Sequence, residues 1–373
     1  MSDRKAQIDA FLAKSGWGKA ERHPLPGDAS TRRYIRVAER GKTAMLMDQP
    51  RGAETAACPP DASDEQRRAL GYNAIARLAG PDCRPFAALA AHLKRAGLSA
   101  PEIIAHDYDQ GFLLIEDFGD GRFADLMTGG QAEQPFYENA IDALLHLHQA
   151  AAPSTLQVPS AGALPLLTYD AMAMEIEVDL LPEWFYPAAA GRKMSADQRA
   201  EFLALWRAAF AKLDLSKPVL VLRDYHAENL MWLDGRSGIA RSGLLDFQDA
   251  LAGSPAYDVI SLLEDARREV SPELAEKMTA RYIAGRKARD AAFDTEAFKL
   301  AASLLAAQRN TKIVGIFSRL WKRDGKPRYT NYLPRMWRYL DRDLQHPDLR
   351  ALKGWFDRTI PSDWRSTLTT EAN

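Results

Sequence analysis

Along the first third of the chain apolar residues gather in short runs broken by turn formers, and beyond it they recur mostly at helical spacing. Tyr34-Ile35-Arg36-Val37 and Thr43-Ala44-Met45-Leu46-Met47 flank Glu39-Arg40-Gly41-Lys42, a pattern that predicts a hairpin in which Gly41 supplies the positive φ of a tight reversal. A second pair of runs, Glu102 to Tyr108 and Phe112 to Glu116, brackets Asp109-Gln110-Gly111 and predicts two further strands of an N-terminal antiparallel sheet. Between the pairs, Pro50 to Pro85 is rich in Pro, Gly, Ala and Asp and holds one helix-like run, Glu65 to Leu78, as expected of an insertion. A helix is predicted from Phe86 to Ala96, stopped by Gly97.

This first lobe is expected to end at residue 118. From residue 120 onward the segments 134–150, 168–181, 195–213, 272–285, 292–309, 311–322 and 329–343 place apolar residues three and four apart, the signature of helices. Pro218 to Phe247 breaks the rule. Its apolar runs Val219-Leu220-Val221-Leu222, Leu230-Met231-Trp232-Leu233 and Gly243-Leu244-Leu245 are too short for helices and predict a small β element. The fold class expected is α+β and bilobal, with a small antiparallel sheet in residues 1–118 and a larger, mainly helical lobe in residues 119–373.

Composition narrows the options. With 373 residues, 46% of them apolar and 27% charged, the chain is long enough for two or three packed units and has an ordinary folded composition. Lys and Arg total 49 against 50 Asp and Glu, so nothing points to nucleic acid or an anionic membrane as partner. Cys58 and Cys83 are too few for a disulfide framework and are expected as reduced thiols. The start of the chain lacks a signal-peptide core and no long apolar span follows, which makes the cytoplasm the expected compartment. Ser366 to Asn373 is polar and expected to fray.

Candidate chemistry sits in the exceptional stretch. Leu222-Arg223-Asp224-Tyr225-His226-Ala227-Glu228-Asn229 pairs an Asp with an Asn four residues apart, and Asp246-Phe247 follows seventeen positions after Asn229. Phosphoryl transfer from ATP to a hydroxyl needs these groups: a carboxylate, Asp224, to take the hydroxyl proton, and hard oxygen ligands, Asn229 and Asp246, for Mg²⁺. An Asp-x4-Asn pair alone carries little information, since about one is expected by chance in such a chain, and a polar loop with a helix cap explains it equally. The flanking apolar runs give it weight, because they set loop and metal ligands at one end of the predicted β element.

The run from Leu222 to Leu230, with Leu244-Leu245-Asp246-Phe247-Gln248-Asp249, resembles the aminoglycoside phosphotransferase family of kinase-like enzymes. Gly27-Asp28-Ala29-Ser30-Thr31-Arg32-Arg33-Tyr34, Leu113 to Gly119, Pro255-Ala256-Tyr257-Asp258-Val259 and Gln308 to Phe317 extend the likeness over most of the chain. Within the family it is most similar to the bacterial N-acetylmuramate/N-acetylglucosamine anomeric kinases. The resemblance implies a protein-kinase-like bilobal fold, ATP and Mg²⁺ as cofactors, an amino sugar as acceptor, and a product that feeds cell-wall precursor recycling. A monomer or weak homo-oligomer is expected. A kinase of another small alcohol (an amino alcohol, a ketosamine or an aminoglycoside) stays open, as does a nucleotide-binding regulator without catalysis.

Ser30, Arg32 and Arg33 occupy the position of a nucleotide-covering loop, and Glu116 and Phe118 that of the lobe junction, where adenine meets backbone. The chain departs from the usual kinase pattern where a phosphate-binding Lys is expected, at Met47, and the helix from Phe86 carries no Glu. Arg32 or Arg33 is the expected replacement for that charge, since guanidinium binds phosphate bidentately. Asp258 is expected to order the catalytic loop. His226, Gln248 and Arg309 are candidates for acceptor contacts, although Arg309 and Lys312, on one helix face, are as simply read as a solvated basic patch. His146 and His148, two apart on a helix, cannot easily share a metal ion and are expected to pack or cap.

Overall fold

A computed structural model describes residues 2–27, 32–50 and 57–366. It divides into two compact units, one of Met1–Ala143, Pro153–Leu167 and Glu228–Leu251, the other of Leu144–Ala152, Thr168–Ala227 and Ala252–Asn373.

The first unit is built on an antiparallel sheet of five strands, β1 (Glu21–Pro24), β2 (Arg33–Glu39), β3 (Lys42–Asp48), β4 (Ile103–Asp107) and β5 (Phe112–Glu116), in the order β1-β2-β3-β5-β4. Both predicted hairpins are present as β2–β3 and β4–β5. At the first turn Arg40 and Gly41 both take positive φ, 54° and 74°, the geometry that lets a two-residue turn match strand twist. Gly111 is required by its surroundings. Its φ is +73°, and a Cβ there would lie 2.1 Å from the Gln49 carbonyl oxygen.

The helix Ser2–Lys14 lays Ile8, Phe11 and Leu12 on Val37, Ala44, Leu46, Phe112 and Leu114 of the sheet, with Phe11 stacked on Phe112 at 5.3 Å. Neither this helix nor β1 is among the predicted elements; for the helix, a run as short as Ile8 to Leu12 shows too little of a helical period. The predicted helix over Glu65 to Leu78 is divided at Gly71, φ +93°, into Asp64–Leu70 and Tyr72–Ile75. The helix predicted over Phe86 to Ala96 forms as Arg84–Arg95, two residues earlier at its start and one at its end, and buries Phe86, Leu89 and Leu93. A ladder of Leu230–Trp232 with Ser242–Leu244, antiparallel, completes the unit's strands near the candidate site.

The second unit is mainly helical, and its long member is Thr295–Lys322. Two helices were expected over 292–322; one forms, because Asn310 is fully buried and its amide donates to the carboxyl groups of Glu264 and Asp343 instead of capping a helix end. Asp294 caps the start, its Oδ1 accepting from the backbone N–H groups of Glu296 and Ala297. Val219–Val221 is a fully buried strand that pairs outside the Leu230–Trp232 ladder, so the single β element predicted for 218–247 is two separate ladders. Among the described residues no helix is long and apolar enough to cross a membrane.

Candidate active site

In the second unit, Val219–Val221 delivers the chain to Asp224. The carboxylate of Asp258, 0% exposed, accepts from the backbone N–H of Leu222 (2.7 Å to Oδ2) and of Arg223 (2.9 Å to Oδ1). Ser261 Oγ donates to the Arg223 carbonyl at 3.0 Å. Three bonds thus fix the backbone on either side of the Arg223 Cα, which takes φ +69°, a conformation that costs a non-glycine residue free energy and needs such support. Asp258 lies in the first turn of the helix Ala256–Leu263, where the helix dipole favours an anion. Asp258 thus orders the loop that leads to Asp224, as expected.

His148 backs this arrangement. Its Nδ1 lies 2.8 Å from the Tyr282 hydroxyl and its Nε2 3.7 Å from Asp258 Oδ2, and burial pushes its pKa below the ordinary histidine value, so the ring is neutral. It packs, as expected.

A buried ionic cluster surrounds the Arg223 side chain. The guanidinium pairs with Glu177 and lies 5.0 Å from the centroid of the Tyr169 ring. Glu177, 1% exposed, also accepts from the Tyr169 hydroxyl, from Gln308 Nε2 at 2.9 Å and from Lys312 Nζ at 3.2 Å. Burial alone would raise the Glu177 pKa, but Lys312 and Arg223 hold it below the usual carboxylate value. The basic patch foreseen for Arg309 and Lys312 is therefore not solvated. The Lys312 side chain is 12% exposed and ion-paired, while Arg309 is 4% exposed and donates to the Glu264 carbonyl at 3.0 Å.

His226, 6% exposed, lies within the electrostatic reach of Asp265, Arg267, Asp224 and Arg309, and burial lowers its pKa. Asp265 accepts from the Arg267 N–H at 2.8 Å through Oδ1.

In the first unit, the register of the Leu230–Trp232 ladder does the assembling. Leu230 faces Leu244, and the Leu245 N–H donates to the Asn229 carbonyl at 3.0 Å, which sets Asn229 beside Asp246. Asn229 Nδ2 is 3.4 Å from Asp246 Oδ2. Asp246 itself has φ +56°, and its Oδ1 accepts from Arg32 NH2 at 2.8 Å and Gln248 Nε2 at 3.0 Å. Phe247 turns the other way and stacks on Phe86 at 4.8 Å. Asp249 accepts from the Ala79 N–H at 2.6 Å. Gln248 lines an apolar cavity of about 190 Å³ with Leu78, Ala79, Leu89, Leu156 and Leu166.

Asn229 and the 38% exposed carboxylate of Asp246 lie side by side, and both residues carry hard oxygen atoms, although the amide turns its Nδ2 to Asp246. Among the described residues no three His, Cys, Asp or Glu side chains gather into an all-protein cage. The arrangement fits Mg²⁺, which keeps few protein ligands and takes the rest from phosphate and water.

At the end of β5, Glu116 accepts from Arg236 at 2.5 Å, and the Arg236 guanidinium lies 5.2 Å from the centroid of the Phe118 ring. Arg36, which the sequence reading passed over, pins the same turn by pairing with Asp117 at 2.8 Å and with Asp120 at 2.8 Å. Met47 is fully buried and Arg84–Arg95 contains no acid, so neither half of a Lys–Glu pair occupies those positions. Of the two arginines considered in its place, Arg32 reaches Asp246, whereas Arg33 is exposed and opens β2 opposite Asp48. Ser30 lies outside the described residues.

The fold is kinase-like. A choline/ethanolamine kinase family protein from Mesorhizobium loti aligns over 95% of this chain and 98% of its own at TM-score 0.56 and 14% identity. An ADP-bound aminoglycoside phosphotransferase aligns over 90% and 96% at TM-score 0.51 and 16% identity. The chain belongs to the phosphotransferase enzyme family, whose model matches residues 21–292. It is 45% identical over 364 residues, 98% of its length and 99% of the relative's, to the N-acetylmuramate/N-acetylglucosamine kinase of Caulobacter vibrioides. The protein of the same name from Pseudomonas aeruginosa is 34% identical over 356 residues, 92% of this chain and 90% of the relative.

Proposed function

We propose that this protein moves the γ-phosphoryl group of ATP to the anomeric hydroxyl of N-acetylmuramate, N-acetylglucosamine or both. The reading places it in the cytoplasm, returning amino sugars to cell-wall precursor synthesis. Its principal support is the 45% identity to the Caulobacter vibrioides kinase across 98% of the chain. The Asn229–Asp246 donor pair and the pinned backbone at Asp224 supply local support.

In this mechanism Asp224 holds the acceptor hydroxyl and takes its proton as the sugar oxygen attacks, so that positioning carries most of the rate. Asn229 and Asp246 would hold Mg²⁺, which would neutralise charge on the nucleotide phosphates. Arg32 is assigned to those phosphates, and the backbone at Glu116 and Phe118 to adenine. His226, Gln248 and Arg309 shape the acceptor site. The nucleotide is assigned to residues 1–118 and the acceptor to residues 119–373, in a monomer or weak homo-oligomer with no nucleic-acid or membrane partner.

Incubation with ATP, Mg²⁺ and a panel of amino sugars, amino alcohols and aminoglycosides, read by phosphorus NMR, tests the proposal. A glycosyl 1-phosphate from N-acetylmuramate or N-acetylglucosamine is expected. Phosphorylation of another alcohol alone, or nucleotide binding with no phosphorylated product, would overturn it.

A further inference from the structure

Within the first unit a short run of hydrogen bonds leads from Asp246 back into the stretch between Pro50 and Pro85. Gln248 Nε2 donates to Asp246 Oδ1 at 3.0 Å and, over a longer 3.3 Å, to Asp249 Oδ2. The other oxygen of that carboxylate, Asp249 Oδ1, accepts from the Ala79 N–H at 2.6 Å. The turn at Ala79 and Gly80 is held from the sheet as well. Gln49, a buried residue, donates its N–H to the Gly111 carbonyl at 2.9 Å and its Nε2 to the Gly80 carbonyl at 2.7 Å.

The Gln248 amide can point only one way in this run. Two carboxylates meet one of its ends, and that end must carry the hydrogens, because an oxygen there would face two anions. The Oε1 end is consequently buried with no partner among the described residues. An unpaired buried acceptor costs free energy, so the donor end must be held firmly for the amide to stay as it is. Arg32 donates to the same Asp246 oxygen at 2.8 Å, and Asn229 Nδ2 lies 3.4 Å from the other. The arginine brings a positive charge that competes with a metal ion. Gln248 is neutral, so it leaves the carboxylate its charge while fixing the plane of its oxygens. That plane needs fixing, since Asp246 takes φ +56°, a backbone conformation kept only by its surroundings.

We infer that Asp249 is a positioning residue for the metal site: it locks the Gln248 amide, which orients the Asp246 carboxylate, and through Ala79 it ties that orientation to the segment before the helix Arg84–Arg95. The inference rests on the proposed kinase reading and adds to it a residue that touches neither substrate nor metal.

The test measures Mn²⁺ binding, as a probe for Mg²⁺, by calorimetry on the full chain with and without a non-hydrolysable ATP analogue. Asp249→Asn is isosteric, and its oxygen can still accept from Ala79, but its NH₂ then faces that of Gln248. The Gln248 amide relieves this by turning over, which sets its oxygen against Asp246. Mn²⁺ affinity is expected to fall about 10- to 100-fold, the scale of losing a group that orients a metal ligand. Gln248→Met removes the donor and should cost as much. Adding Asp249→Asn to Gln248→Met should change affinity by no more than about twofold, because the amide through which Asp249 acts is already gone. Transfer to the amino sugar should slow in Asp249→Asn at low Mg²⁺ and recover when Mg²⁺ is raised about 100-fold to match, which a packing role would not predict. Asp249→Ala takes the place of Asp249→Asn should the latter not fold. Wild-type Mn²⁺ affinity in the Asp249 variant, or two substitutions whose effects multiply, overturns the role of Asp249. A wild type that binds Mn²⁺ but forms no sugar phosphate overturns the kinase reading alone, and Asp249 is then decided on Mn²⁺ binding. A wild type that binds no Mn²⁺ in either form overturns both.

Discussion

Arg32 donates to Asp246 at 2.8 Å, so that a carboxylate suited to a divalent cation is paired with a guanidinium 214 residues earlier in the chain. Burial alone would make the Arg32 charge unfavourable, and Asp246 is the largest influence that restores it. The pair is matched in charge, and on the proposed reading Arg32 would exchange the carboxylate for phosphate when Mg²⁺ and ATP bind.

Arg32→Ala should accordingly act in opposite directions on the two ligands. Without nucleotide, Mn²⁺ used as a probe for Mg²⁺ should bind more tightly, because it no longer displaces an ion pair. KM for ATP should rise roughly tenfold or more, the scale of one charge-assisted hydrogen bond. Calorimetry with Mn²⁺ and steady-state kinetics read both effects; if neither moves, Arg32 is not the phosphate cation. Lys is expected to restore the metal effect better than the ATP effect, since it lacks the planar fork.

Asp224 and Asp258 should separate chemistry from scaffold. Asp224→Asn removes the proposed proton acceptor and should lower kcat by about 10² to 10⁴ with nucleotide affinity nearly intact. Asp258→Asn sets an NH₂ group against backbone donors of Leu222 and Arg223, so one N–H loses its acceptor in a buried site. A loss of about 1–3 kcal/mol in stability is expected. Thermal denaturation and nucleotide titration of the two variants check the contrast, and equal destabilisation by both would contradict it.

The parts legible in sequence are those whose partners are near in the chain. The β2–β3 hairpin follows from alternation and Gly41, and the neighbourhood of Asn229 and Asp246 from the short apolar runs beside them. Glu177, Lys312 and Asn310 were not legible as buried residues, because a polar residue on a helical pattern reads as solvated unless its partner is known. Lys312 finds Glu177 135 residues away, and Asn310 finds Glu264 at a distance of 46. The ladder pairing also escaped, since short apolar runs carry no label for which of them pair.

Stability should depend on pH through Asp343. Burial, and then Glu264, raise its pKa well above the usual carboxylate value, and Asn310 Nδ2 bridges the two acids at 2.6 Å to Glu264 and 2.9 Å to Asp343. Below the unfolded pKa, about 4, both states hold the proton and the contribution is fully present. Above it the unfolded chain releases the proton while the native state keeps it, so stability is lost as pH rises toward the folded pKa. Asp343→Asn removes this dependence. Its stability relative to wild type should improve between pH 5 and pH 8 in urea unfolding, and a constant difference would contradict the assignment. His148 and His226 act in the opposite sense: both pKa values are lowered by burial, so their contribution is lost as pH falls below about 6.5.

Two helical glycines give opposite predictions under one substitution. A Cβ at Gly315 would lie 2.5 Å from the Leu180 carbonyl carbon and 2.5 Å from the Leu180 Cβ, a clash with backbone that no rotamer relieves. Because Gly315 lies in Thr295–Lys322, which also carries Gln308 and Lys312 to Glu177, the helix cannot retreat without loosening that cluster. Gly315→Ala is expected to destabilise by about 1–3 kcal/mol. At Gly354 the nearest atom to a new Cβ is Arg358 NH1 at 3.4 Å, the movable end of a long side chain. There Ala should stabilise the helix Arg350–Thr359 by about 0.5–1 kcal/mol through reduced backbone entropy in the unfolded chain. Urea midpoints of the two variants, measured side by side, decide the matter: a shift of the same sign in both would mean that close approach to Leu180 does not set the requirement for glycine.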